Sequence, residues 1–231
     1  MRKACDDYNM IEENDRIAVG VSGGKDSIAL LAALNNLKIF YPKKFELAAI
    51  TVDMGFEEFD VSSVSDFCRE NNIPYIVEKT DIREIIFDLR KEKNPCSLCS
   101  KMRKGALNTA AVENGYKKVA LGHHYNDVIE TFFLCLLYEA RIGCFSPVSY
   151  LDRMGVTQIR PLIYAPEAEI RGVVRRLELP VVKNPCPMDG VTKREEMKNF
   201  IKELNMNFDS AGEKVFGALN RSGIDGWGVQ N

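Results

Sequence analysis

Arg16-Ile-Ala-Val-Gly-Val-Ser-Gly-Gly-Lys-Asp-Ser27 is an apolar run that ends in a glycine turn. Residues 27–40 continue it with Ile28, Leu30, Leu31, Leu34 and Leu37 at helical spacing. The stretch reads as strand, tight turn, helix. Glycines in such a turn let backbone N–H groups face an anion, and the helix N-terminus adds a favourable dipole, so Ser22 to Ser27 suit phosphate. The spacing matches neither the Walker pattern nor Gly-x-Gly-x-x-Gly. The competing structural reading is a plain Gly-Gly turn with Asp26 or Ser27 as the helix N-cap.

Working outward, the same alternation repeats. Residues 46–53 read as a strand and 58–71 as a helix; residues 74–78 and 81–91 form a second such pair. Asn94-Pro95 interrupts the pattern before a helix over 100–114 that Gly115 closes. A strand at 117–122 and an apolar helix at 126–138 follow. Beyond them come a strand-like 158–163, a helix over 166–177, a short strand at Val181-Val182 and a helix over 192–204. This order predicts an α/β fold, a parallel sheet covered on both faces in a Rossmann-like three-layer sandwich, with ligands beyond the carboxyl ends of the strands. Residues 1–15 read as an N-terminal extension, 16–204 as the domain and 205–231 as a Gly-rich tail, weakly ordered past Arg221.

Composition narrows the class. The 231 residues are 45% hydrophobic, enough for a buried core, and 31 Lys+Arg against 33 Asp+Glu leave a net charge of −2, so nucleic-acid contact would need a local patch. No apolar stretch approaches the roughly 18 residues that span a bilayer. Asp6, Asp7, Glu12 and Glu13 stand where a signal peptide needs apolar residues. The expectation is a cytoplasmic protein with no membrane contact, whose 7 cysteines stay reduced.

Two further segments carry chemistry. In Leu121-Gly-His-His-Tyr-Asn-Asp127, Gly122 permits close backbone approach, and the chain's 2 histidines stand side by side at the predicted mouth of the sheet. Asn-Pro-Cys occurs twice, at Cys96 and at Cys186, and the first opens Cys96-Ser-Leu-Cys99. A Cys-x-x-Cys alone admits zinc, iron–sulfur, a redox dithiol or accident. There is no second close pair for structural zinc, and the motif does not directly follow a strand as in thioredoxin-like proteins. Three thiolates suit an iron–sulfur cluster with one iron left open. Cys68 and Cys135 lie in apolar helical patterns as core residues, while Cys5 and Cys144 have no assigned place.

Ser22-Gly-Gly-Lys-Asp-Ser27 resembles the PP-loop, the Ser-Gly-Gly-x-Asp-Ser signature of the ATP pyrophosphatases (adenine nucleotide alpha hydrolase-like fold), at every specified position. The resemblance implies cleavage of ATP to AMP and pyrophosphate. It places phosphates on Ser22, Gly23, Gly24, Asp26 and Ser27, assigns Mg2+ to Asp26, and puts the nucleoside near Asp53. Gly122 and Asp127 match the Gly-His-x-x-x-Asp segment of the PP-loop enzymes that modify tRNA, and Lys118 is a candidate phosphate or intermediate stabiliser. Together with Cys96, Cys99 and Cys186, the chain from about Arg16 to about Lys202 resembles the tRNA 2-thiolation enzymes of the TtcA/TtuA type, nearest the 2-thiocytidine version. In that family the three cysteines hold a [4Fe-4S] cluster whose free iron carries the transferred sulfur. The resemblance further implies a tRNA substrate, a sulfide or persulfide donor and a homodimer. The zinc-finger cysteine clusters of the TtuA-type enzymes and a THUMP-like extension are missing from the sequence.

Charge supports such a substrate locally. Residues 83–104 hold Arg83, Arg90, Lys91, Lys93, Lys101, Arg103 and Lys104 against Glu84, Asp88 and Glu92. Residues 171–202 hold Arg171, Arg175, Arg176, Lys183, Lys193, Arg194, Lys198 and Lys202 against Glu178, Asp189, Glu195 and Glu196. Both basic segments flank the three cysteines, and phosphate binding there competes with ordinary solvated helix faces. Two other readings stand beside tRNA thiolation: a PP-loop enzyme acting on a small molecule, and a nucleotide and redox sensor.

Overall fold

Strand β1 (Asp15–Gly20) feeds two cores at once. Ile17 and Val19 turn to one face of the sheet and Ala18 to the other, as the two-residue period of a strand requires. Strand β2 (Phe45–Asp53) repeats this, with Leu47 and Ala49 on the first face and Ala48 and Ile50 on the second. These positions come from a computed structural model that describes residues 1–91, 95–188 and 193–228. Glu92, Lys93 and Asn94 of the first basic segment, Asp189 of the second, the expected helix start at Thr192 and the last three residues of the tail lie outside them.

Strands β3 (Tyr75–Lys79), β4 (Lys118–Ala120), β5 (Val148–Leu151) and β6 (Val156–Ile159) complete a sheet of order β3-β2-β1-β4-β6-β5. All pairings are parallel except β5 with β6. That antiparallel pair departs from the expected parallel sheet because only residues 152–155 separate the two strands, too few for a crossover. Helix α2 (Lys25–Phe40) buries Ile28, Leu30, Leu31 and Leu34 on the first face. Helix α4 (Pro95–Glu113) presses Leu107, Ala110 and Ala111 on the second. Helices therefore cover both faces, and the strand order reverses direction between β1 and β4. Ligands of open α/β sheets bind in the crevice at such a switch point.

The termini belong to the domain, contrary to the extension and loose tail read from sequence. Helix α1 (Arg2–Asp7) and its loop place Ala4, Cys5, Met10 and Ile11 wholly inside the first core. Helix α7 (Lys193–Asn207) is followed by α8 (Ala211–Asn220), and beyond it Trp227 is 1% exposed with its indole N–H donating to the Phe145 carbonyl at 2.9 Å. Residues 181–182 are no strand: Val182 N–H donates to the Gly23 carbonyl at 2.9 Å, so the segment crosses the glycine turn. The stretch Glu84–Leu89 is π-helical, and α3 (Ser62–Glu70), α5 (Tyr125–Tyr138) and α6 (Glu167–Arg176) complete the set used below.

Candidate active site

The glycine turn after β1 is held open by its own serines. The Ser27 hydroxyl donates to the Gly24 carbonyl at 2.8 Å and accepts from the Ser22 N–H at 3.2 Å, while the Ser22 hydroxyl accepts from the Gly24 N–H at 3.4 Å. Gly23 has φ +81°, in the region that favours glycine, and a Cβ there would stand 2.9 Å from Val182 Cβ. From the next strand, Gly122 lies against the start of α2, where a Cβ would meet the Asp26 carbonyl carbon and the Ser27 nitrogen at 3.1 Å. The turn and the segment after β4 thus form the two walls of the switch-point crevice.

Charged side chains cross that crevice. Asp26 pairs with Lys25 at 2.9 Å through Oδ2, and its Oδ1 is buried with no hydrogen bond. Lys25 also meets Glu167 at 2.9 Å; burial pulls the Lys25 ammonium down, but its bonds to Asp26 and Glu167 outweigh burial and raise its pKa. The same pair outweighs burial at Glu167 and lowers its carboxyl. His124 caps α5: its Nδ1 accepts from the Asp127 N–H at 3.4 Å, and Asp127 Oδ2 accepts from the His124 N–H at 2.9 Å. Its Nε2 faces Asp26 Oδ1 at 3.7 Å, and Asp127 Oδ1 meets Arg194 Nη1 at 3.0 Å. His123 is held neutral, its pKa lowered to about 3 by burial and by Arg160, whose Nε donates to its Nδ1 at 3.3 Å.

The cysteines divide by environment. Burial pushes Cys5 and Cys144 up to about 12 and Cys68 up to about 11, and also raises Cys135, so these four are inert core thiols. Cys96 is exposed and Cys99 and Cys186 half-buried. Cys99 is raised by burial, lowered by the nearby Arg103 guanidinium, and raised again by the charges of Cys186 and Cys96. Cys96 and Cys99 sit within the first five residues of α4, not in a loop, because Pro95 opens the helix instead of ending a segment. Among the described residues no three His, Cys, Asp or Glu side chains gather tightly enough for a single metal ion. A four-iron cubane spreads its thiolates over separate irons, and an all-sulfur donor set fits it.

Residues 2–207 match the family model described as the PP-loop domain. The chain belongs to the PP-loop family. A tRNA-cytidine(32) 2-sulfurtransferase of Citrifermentans bemidjiense is 36% identical over 221 residues, 94% of this chain and 87% of the relative. One of Pelobacter propionicus is 39% identical over 221 residues, 94% of this chain and 82% of that protein. Among solved structures, the U34-tRNA thiolase NcsA from Methanococcus maripaludis with its [4Fe-4S] cluster superposes with a TM-score of 0.77 at 26% identity, covering 94% of this chain and 75% of that one.

In this PP-loop chain the serine bonds of the turn hold Ser22, Gly24 and Ser27 together, Gly122 packs on the Asp26–Ser27 backbone, and His124 links Asp26 to Asp127. Asp53 ends β2 and spends Oδ1 on the Gly55 N–H at 2.9 Å, the role of a turn residue. Lys118 is corrected: it opens β4 at the amino edge, away from the crevice, and its ammonium pairs with Asp15 at 2.6 Å and Glu12 at 3.4 Å. Sequence reasoning missed Lys25, although it stands inside the motif, and also Glu167 and Arg160, which no local pattern distinguishes from other charged residues; Arg194 was read only as part of a basic segment.

Proposed function

We propose that this PP-loop enzyme is an ATP-dependent tRNA sulfurtransferase that replaces the C2 oxygen of a pyrimidine, cytidine at position 32 in the reading its relatives favour, with sulfur. The observation that carries the proposal is the contact between the PP-loop and the segment leading to the third cysteine: Val182 N–H donates to the Gly23 carbonyl at 2.9 Å, four residues before Cys186.

The turn of Ser22, Gly23, Gly24 and Ser27 receives the ATP phosphates at the α2 N-terminus, phosphate oxygens taking over donors that the serines and the turn now share. Asp26 Oδ1, buried and unbonded, is suited to Mg2+. Asp53 and Gly122 border the nucleoside, and Asp127, fixed by His124 and Arg194, orients the crevice wall. Attack by the C2 oxygen on the α-phosphorus expels pyrophosphate and converts a poor leaving group into adenylate; a sulfur nucleophile then adds at C2 and AMP departs. Cys96, Cys99 and Cys186 would hold the [4Fe-4S] cluster, which when bound supplies an iron with no protein ligand as a docking point for sulfur. A sulfide or persulfide donor, a homodimer and a cytoplasmic location belong to the proposal on the family resemblance. Among the described residues no helix is long and apolar enough to cross a membrane.

The test is nucleoside mass spectrometry of tRNA from cells with and without the gene, paired with AMP release by protein purified without oxygen. Loss of one 2-thiolated pyrimidine supports the reading; unchanged thiolation sinks it. Zinc without iron after anaerobic reconstitution would remove the cluster.

A further inference from the structure

Arg160, the residue after β6, is 4% exposed, yet among the described residues no carboxylate lies within 4 Å of it. It donates to neutral acceptors: His123 Nδ1 at 3.3 Å, the Ser146 carbonyl at 2.6 Å and Ser149 Oγ at 3.1 Å. The guanidinium also lies over the Phe145 ring, 5.2 Å from its centroid, and Phe145 stacks on His123 at 4.8 Å. A buried cation without a counter-charge is costly in the free protein, and a bound anion would relieve that cost.

A second cation comes from α4. Two residues before Arg160, Gln158 donates to Asn108 of α4 at 3.0 Å, which pins α4 to β6 in the second core. Lys104 precedes Asn108 by four residues and shares its helix face, so it stands one turn further toward the crevice, as Arg160 does on the sheet. Lys104 is exposed, and partial burial of its ammonium together with the Arg160 charge lowers its pKa. Among the described residues no carboxylate lies within 4 Å of Lys104 either. Along α4 the order toward its N-terminus is Asn108, Lys104, Arg103, Cys99, so the cation pair lies between the polar interior and the candidate cluster cysteines.

We propose that Lys104 and Arg160 form a phosphate-binding subsite separate from the PP-loop, which fixes a phosphate group beside the place where the target base meets the sulfur. The inference rests on the proposed function for the identity of the substrate, and the phosphate belongs either to the RNA backbone or to the nucleotide. Because the PP-loop already offers its own N–H groups to the ATP phosphates, an RNA phosphodiester is the expected source. Arg160 supplies a fixed planar fork and Lys104 a mobile point charge at the solvent edge.

The experiment compares full-length Lys104→Gln, Arg160→Gln and Arg160→Lys with the wild type. For an RNA phosphate, Lys104→Gln weakens tRNA binding roughly five- to tenfold and makes the dependence of log K on log salt shallower by about 0.7, one single-strand phosphate contact. Arg160→Lys keeps most of the affinity that Arg160→Gln loses, and the KM for ATP stays constant. A raised KM for ATP with unchanged tRNA binding assigns the phosphate to the nucleotide instead. If neither moves while the wild type binds tRNA and forms AMP, the subsite is wrong and the function stands. If the wild type does neither, the functional reading fails; the rise in melting temperature with inorganic phosphate, compared between wild type and the exposed Lys104→Gln, still decides the subsite.

Discussion

His124 Nε2 stands 3.7 Å from Asp26 Oδ1, a carboxylate oxygen that is buried and has no hydrogen bond. The same imidazole caps α5 through Nδ1, so one side chain ties the PP-loop wall to the Asp127 wall. Asp26 keeps Oδ2 on Lys25 and leaves Oδ1 without a hydrogen bond, a state that favours a cation arriving with the ATP phosphates. Replacing Asp26 with Asn keeps the shape and removes the charge. We expect AMP formation to fall by about 10²- to 10³-fold, comparable with losing one transition-state stabilising group. Pyrophosphate release at saturating Mg2+, with an unchanged far-UV spectrum, checks this; activity within threefold of the wild type contradicts the role.

Gly122 tests the fit of the two walls. A Cβ at this position would stand 3.1 Å from the Asp26 carbonyl carbon and from the Ser27 nitrogen, and both are backbone atoms at the start of a helix that cannot swing aside. Gly122→Ala should therefore displace the turn, raise the KM for ATP and cost about 1–3 kcal/mol of stability. Denaturant melts and ATP titration read the two effects. An unaltered KM would mean that the turn is softer than its serine bonds suggest.

These two residues were legible in the sequence because a strand period and a helix period meet at glycines in each case. The helix expected over 100–114 was legible too, and the structure uses its Leu107, Ala110 and Ala111 for the second-face core. Other features had no local signal. Helix α1 has 6 residues, of which Ala4 and Cys5 are buried, too short a run for periodicity to register. Trp227 is anchored by Phe145, 82 residues away, and a Gly-rich composition gave no hint of that. Pro95 read as an interruption because proline is excluded from helix interiors, whereas the structure uses it as the first helical residue.

Lys118 separates a structural lysine from a catalytic one. Its side chain is 10% exposed and pairs with Asp15, 17% exposed, at the amino edge where β1 and β4 begin. Lys118→Met leaves the Asp15 carboxylate without its close partner, which should cost about 3 kcal/mol. AMP formation at a temperature where the variant is folded should stay within a fewfold of the wild type. A catalytic contribution would show the reverse, full stability with lost turnover.

Glu130 carries the expected pH dependence. It is 2% exposed, its Oε2 has no hydrogen bond, and its carboxyl is raised from 4.5 to about 7, first by burial and then by the negative charge of Asp127 one turn earlier; Lys198 and Arg194 of α7 oppose the shift. Because the folded-state pKa lies above the unfolded one, the native state holds the proton that the unfolded chain has released between pH 4.5 and about 7. The contribution to stability is complete below the unfolded pKa and is lost as pH rises through the folded one. Over that window Glu130 should remove up to about 3 kcal/mol of stability. Glu130→Gln keeps the volume, cannot ionise, and should therefore gain stability relative to the wild type at pH 8 while matching it near pH 4.5. Urea midpoints of both proteins across pH 4.5–8 measure the difference. Parallel pH profiles would show that the Glu130 carboxylate is better solvated, or better paired with Lys198, than its burial implies.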